Sequence, residues 1–201
     1  MKLYYSPQTR ASRPRWLLEE LGVPYELERL DMSAGDHKKP AYLAIHPHGS
    51  LPALEDGDVR LFESAAICLY LADRFLEKGL APKPGTPERG LYYQWMIYAM
   101  ATLEPLVLKV ATHTRFLPEE KRIASEAADG RSRFAEVGGV LSRALEGKEY
   151  LVGNRFGAAD VPTASILIWS RSLGLLDDFP VLQEYAKRCK ERPAYQRATA
   201  D

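Results

Sequence analysis

The chain has 201 residues, 46% hydrophobic and 27% charged, with Lys plus Arg and Asp plus Glu both at 27, so its net charge is zero. That composition describes a globular chain able to bury a sizeable core in one large or two small domains. Charge parity argues against the basic surplus that nucleic acid or an anionic membrane calls for, and no apolar run reaches the ~20 residues of a membrane span.

Residues 2–5, KLYY, form a short apolar run that stops at Ser6-Pro7, as a strand does. Pro14, Leu17, Leu18 and Leu21 then fall at helical spacing, and Gly22 with Pro24 closes that helix. Residues 25–31, YELERLD, read as a second strand, and the helix between the two requires a parallel pair. A polar stretch with Gly and two prolines follows, enough for one short irregular helix. PALED and VRLFE flank Gly57-Asp58 and predict a hairpin. Ile67, Leu71 and Phe75 mark the apolar face of the next helix.

The order βαβ then ββα predicts a four-stranded mixed sheet with helices packed on it. Residues 77–90 hold three Pro and three Gly, the best linker signal in the chain. Beyond it the pattern is all-helical. Leu91, Trp95 and Tyr98 start a long helix that Pro105 should kink or break. Phe134, Val137, Leu141 and Leu145 trace another, ADVPTASILIWSRSLG is apolar nearly all round, and FPVLQEYAKRCKERPAY supplies a last amphipathic helix. Cys68 and Cys189 are too few and too far apart for a disulfide framework or zinc, and four scattered His offer no metal spacing, so no metal is expected. The opening residues lack the apolar core of a signal peptide, which makes the cytoplasm the expected location.

Three places carry candidate chemistry. Where the second hairpin strand ends, Glu63-Ser64 either caps the following helix or leaves its first N–H groups and the Ser64 hydroxyl for a carboxylate, with Glu63 suited to an ammonium. Pro52 has no N–H, so the backbone of Leu51 stands outside a regular ladder and can pair with a peptide-like ligand. SPQTRAS lies at a strand's carboxyl end, where α/β folds place ligands, and Thr9 and Ser12 there are either N-caps or donors to an anion.

Taken together, GDHKKPAYLAIHPHGSLPALEDGDVRLFESAAICLYLADRF and RFGAADV resemble the glutathione transferase superfamily, in a bacterial-type, serine- or threonine-like class. The resemblance spans essentially the whole chain. It implies a thioredoxin-like α/β domain over residues 1–78 that binds glutathione, a linker over 79–87, and an all-helical domain over 88–201 that contributes the electrophile pocket. Carried over by position, it implies that Glu63 and Ser64 bind the γ-glutamyl end, Leu51 the cysteinyl backbone, and His37 and Lys38 the glycyl carboxylate. Pro52 matches a cis-proline. Ser50 stands where Lys or Gln is common, His46 replaces an Asn, and Gly157 replaces the Ser or Thr of a helix-capping box, losing a reciprocal bond with Asp160.

Activation of the thiol falls to one turn. Thr9 lies four residues before Arg13, the spacing of serine-type members, whereas another register puts Arg10 at a catalytic cysteine's place; Ser12 shares the turn and Tyr5 lies at the strand end. No cysteine lies there, which disfavours a mixed-disulfide mechanism. A free thiol has a pKa of about 8.5, and lowering it by ~2 units takes ~2.7 kcal/mol. A hydroxyl bond to the thiolate at ~1.5–3 kcal/mol plus a helix N-terminus at ~0.3–1 kcal/mol suffices. The expected activity is conjugation of glutathione, as co-substrate rather than cofactor, to small electrophiles, by a homodimer. The alternatives are a non-catalytic binding relative, or a glutathione-dependent peroxidase, lyase or dehalogenase. The electrophile pocket is expected between the domains along residues 91–116, with Tyr98, Thr102, His113 and Arg115 as candidates.

Overall fold

The structure, a computed structural model, describes residues 1–201. Lys2–Tyr5 forms β1, and Ser12–Leu21 forms α1, which buries Trp16, Leu17, Leu18 and Leu21 on one face and ends at Gly22 in the left-handed region, φ 64°. Glu26–Arg29 (β2) pairs parallel to β1, as a crossover through a helix demands. All four β2 residues are exposed, because it is an edge strand. A 3-10 turn and the short helix Pro40–Leu43 (α2) follow. Ala53–Asp56 (β3) and Val59–Phe62 (β4) then make the expected hairpin, turning at Gly57 with φ 60°. The sheet order is β2-β1-β3-β4, with β3 antiparallel to both neighbours. Ser64–Arg74 (α3) packs on it through Ile67, Cys68, Leu71 and Ala72.

The chain divides into two compact units, residues 1–81 with 191–201, and residues 82–190. The tail is a departure from the expected domain 88–201. The anticipated last helix breaks at Pro193 into Pro180–Lys190 (α8) and Pro193–Ala198 (α9), since proline cannot extend the helix before it. α9 packs on α1. Arg192 makes a two-pronged pair with Glu20 (2.6 and 2.8 Å), Arg197 pairs with Glu19 (2.6 Å), and Tyr195 meets Trp16 edge-on at 4.9 Å.

In the second unit, Pro87–Ile97 (α4) runs through a π-helical turn, Tyr98–Leu103, into Glu104–Ala111 (α5) and a second π turn, Thr112–Phe116. At Pro105 the helical path continues, but the α pattern before it is interrupted by the π turn Tyr98–Leu103, and Pro105 falls in the first turn of α5 that follows. Of the residues that signal this helix, Trp95 is buried, with Tyr92 and Met96, while Leu91 is 46% exposed. Ala124–Leu145 (α6) buries Phe134, Leu141 and Leu145, and Asp160–Arg171 (α7) is the buried helix that its apolar sequence predicts. Gly130 of α6 is tied to close packing, because a Cβ there would lie 2.9 Å from Val110. No helix is long and apolar enough to cross a membrane.

Candidate active site

The first unit brings three backbone features together through its sheet. β1 ends at Tyr5 and opens into the turn leading to α1. β3 begins at Ala53, immediately after a cis Leu51-Pro52 bond, and β4 ends at Phe62, one residue before α3. Tyr4 pairs with Ala53 and Ala53 with Phe62, so these three points lie side by side across the sheet.

At the head of α3, Glu63 is exposed and holds φ at 72°, a left-handed conformation costing on the order of 1–3 kcal/mol for a non-glycine residue. The expected serine cap is not made here. Ser64 is the first helical residue rather than the cap, and no side chain caps the helix. The first backbone bond into the helix goes from Ile67 N–H to Glu63 C=O, leaving the N–H groups of residues 64–66 without intrahelical acceptors. Ser64 itself is 2% exposed, and its Oγ accepts a bond from Arg13 Nη1 at 3.2 Å.

Leu51 precedes the first paired residue of β3, and its N–H and C=O make no backbone hydrogen bond. Its side chain packs with Tyr4 and Ile45 against Leu30, Tyr42 and Ala53, which anchors the segment while its backbone stays outside the ladder. Pro52 is buried and Ser50 exposed; the carbonyl of Ser50 accepts from Tyr42 Oη at 2.6 Å. Of the two cationic candidates, Lys38 spends two N–H bonds on the carbonyls of His48 (3.0 Å) and Gly49 (3.2 Å). His37 is half-buried, with an Nδ1 that has no hydrogen-bond partner. Gly49 is obligatory beside it. A Cβ would sit 2.4 Å from the His37 carbonyl, and φ is 56°.

In the turn after β1 the capping expectation for the two hydroxyls is corrected. Neither caps α1, whose N-cap is Ala11 without a side-chain bond. Thr9 Oγ1 donates to the Ser6 carbonyl at 2.7 Å and accepts from Ala11 N–H at 3.3 Å, and Ser12 Oγ donates to the Thr9 carbonyl at 3.1 Å. Arg10 is exposed on the same turn. Tyr5 is withdrawn from it. Its hydroxyl donates to Asp201 at 2.7 Å, and that bond, with burial, raises its pKa above the ordinary tyrosine value.

His46 is buried, stacked on Phe62 with ring centres 4.8 Å apart. Burial and the neighbouring His48 charge hold its pKa below the usual histidine value, while Glu63 pulls the other way. Cys68 lies one turn into α3, wholly buried, with its thiol pushed up to about 12, so it is a packing residue and not a nucleophile. No group of three or more His, Cys, Asp or Glu side chains is placed to hold a metal ion.

The family pattern described as the N-terminal domain of glutathione S-transferase matches residues 1–73, and that of the C-terminal domain matches residues 98–193. Glutathione S-transferase F9 of Arabidopsis thaliana is 32% identical over 167 residues, 80% of this chain and 76% of the relative. The chain belongs to the glutathione S-transferase family. The fold agrees with that membership. A bacterial glutathione S-transferase, BphK, solved as a ternary complex, superposes with a TM-score of 0.86 at 31% identity, over 100% of this chain and 98% of that one. Glutathione transferase URE2P8 from Phanerochaete chrysosporium, solved with oxidized glutathione, gives 0.86 at 25% identity, over 98% and 92%.

The four electrophile-pocket candidates all lie in the second unit of this glutathione S-transferase, and three are engaged there. Tyr98 donates to the Val137 carbonyl at 3.0 Å, His113 Nδ1 accepts from Ile123 N–H at 3.2 Å, and Arg115 donates to the Ser172 hydroxyl at 3.0 Å and to the Ser172 carbonyl. Thr102 is half-buried in the π turn. A cavity of about 240 Å³ in the same unit is lined instead by Pro82, Lys83, Thr86, Glu88, Val152, Gly153 and Arg155. One half of the capping box remains. The Asp160 carboxylate still accepts from Gly157 N–H at 2.9 Å, because that half of the box uses only the backbone of residue 157.

Proposed function

We propose that this chain activates the thiol of glutathione and conjugates it to small electrophiles, with glutathione as co-substrate. The open N-terminus of α3 carries the reading. Three N–H groups and a buried serine hydroxyl converge there next to an exposed carboxylate, which suits a ligand end bearing both a carboxylate and an ammonium. The γ-glutamyl end of glutathione has both. Leu51 offers its free backbone groups to the cysteinyl residue, and His37, with Lys38 fixing the 48–49 carbonyls beside it, faces the glycyl carboxylate.

Within this reading Thr9 is the activating hydroxyl, in the manner of the serine- or threonine-like members. The thiolate replaces the Ser6 carbonyl as acceptor of the hydrogen bond that the Thr9 hydroxyl donates in the free protein, exchanging a neutral bond for a charge-assisted one while the proton stays on Thr9. Arg10 adds positive charge to the same turn. Residues 1–78 bind glutathione, and Tyr98, Thr102, His113 and Arg115 of the helical region contribute to the electrophile pocket. The active species is a cytoplasmic homodimer.

Calorimetric titration with glutathione, followed by turnover measurements with aryl halides, isothiocyanates, epoxides and peroxides, tests the proposal. Micromolar-to-millimolar binding with thioether formation is expected. Absence of binding would leave a non-catalytic relative, and turnover of peroxides alone would make the reaction a reduction. A sedimentation mass near 22.6 kDa at micromolar concentration would overturn the dimer.

A further inference from the structure

Arg13 is a buried cation directed at the buried hydroxyl of the site. It sits on the face of α1 that packs on α3, is 3% exposed, and its Nη1 donates to Ser64 Oγ across 51 residues of sequence. A guanidinium only donates, whereas a serine hydroxyl has one proton and two lone pairs. With Arg13 on one lone pair, the Ser64 proton points elsewhere, and no protein atom accepts it. A helical serine ordinarily turns that proton back onto the preceding turn of its own helix. At the first position of α3 there is no preceding turn.

We infer that Arg13 is a positioning residue for the γ-glutamyl carboxylate of glutathione. It makes Ser64 a dedicated donor and places a permanent positive charge behind it. The inference rests on the glutathione reading of Glu63 and Ser64. The same field extends along α3, since Arg13 also favours the charged form of Cys68, against the larger effect of burial. Its backbone N–H meanwhile closes onto the Arg10 carbonyl at 3.2 Å, in the turn that carries Thr9. One residue thus spans the carboxylate site and the thiol turn.

The experiment compares two ligands by calorimetry. They are glutathione and 4-aminobutyryl-cysteinyl-glycine, which lacks only the γ-glutamyl α-carboxylate. Arg13→Met should weaken glutathione about tenfold, the worth of one charge-assisted hydrogen bond, and leave the analogue within about twofold. Arg13→Lys keeps the charge without the planar fork and should lose about threefold, again for glutathione alone. If Arg13→Met does not fold, as judged by circular dichroism and thermal melting, the lysine variant decides. Equal loss for both ligands, or no loss for either, in a folded Arg13 variant would overturn the inference. Failure of the underlying reading looks different: the wild-type protein would bind the two ligands equally, and Ser64→Ala would leave glutathione affinity unchanged.

Discussion

At the start of α3 no side chain caps the helix, Glu63 is held in a left-handed conformation, and Ser64 Oγ accepts only from Arg13. At the start of α7 the Asp160 carboxylate, 1% exposed, accepts from Gly157 N–H (2.9 Å), Leu151 N–H (3.1 Å) and Tyr185 Oη (2.8 Å). Both helices begin beside an acidic residue in short, glycine- or serine-containing stretches. One leaves its first N–H groups without acceptors in the helix, at some cost in strain. The other gathers donors from three directions and converts them into stability. A helix N-terminus is therefore a site only where the protein declines to satisfy it from within.

Substitutions at the two helix starts should have opposite readouts. Asp160→Ala strands three donors in the interior and should cost about 3–5 kcal/mol, the sum of a few unsatisfied buried groups. For a chain of this size that lowers Tm by about 10 °C. Glutathione affinity of the folded fraction should stay as it is. A thermal scan showing less than about 2 °C of change would mean that water or a neighbouring group takes over from Asp160.

Ser64→Ala should do the reverse. Its Tm should stay within a few degrees, while Kd for glutathione rises more than tenfold, the loss of one hydrogen bond to a charged group. A matched loss of stability and affinity in this variant would erase the distinction between the two helix starts.

Thr9→Ala should raise the apparent pKa of bound glutathione by about one unit, or about 1.4 kcal/mol, read from thiolate absorbance against pH. Thr9→Ser should restore the wild-type curve, because the hydroxyl is what matters. If Arg10→Ala moves the curve and Thr9→Ala does not, positive charge rather than the hydroxyl activates the thiol.

The smallest expected effect is at His46, beneath the open end of α3. Its folded-state pKa lies below the unfolded value of about 6.5, because burial disfavours the cation. The stability that follows is present above pH ~6.5 and is lost as pH falls toward the folded value. His46→Asn should flatten that acid-side loss in urea titrations at pH 7 and pH 5. Parallel losses in variant and wild type would assign the acid sensitivity to other groups.

Local chemistry was enough to read much of this molecule from its residues. The period-2 and period-3.6 patterns, with Gly22, Gly57 and Pro24 as punctuation, placed the four strands and three helices of the sheet region in the right order. Such signals depend only on neighbours a few residues away. The Glu63-Ser64 candidate was legible for the same reason, although only the helix start shows that Ser64 is not its cap. What the tertiary structure decided lies at long separation. Nothing near Arg13 in sequence points to Ser64, 51 residues on, and nothing near Tyr5 points to Asp201, 196 residues on. The docking of α9 on α1 has the same character, because Glu19 and Glu20 pair with arginines more than 170 residues away. The interruption that Pro105 signals takes the form of a π turn over Tyr98–Leu103, a form that no local pattern specifies. Propensity and pattern report what a segment can form. Which donor meets which acceptor across the fold is fixed only when the sheet and helices bring distant segments within hydrogen-bond reach.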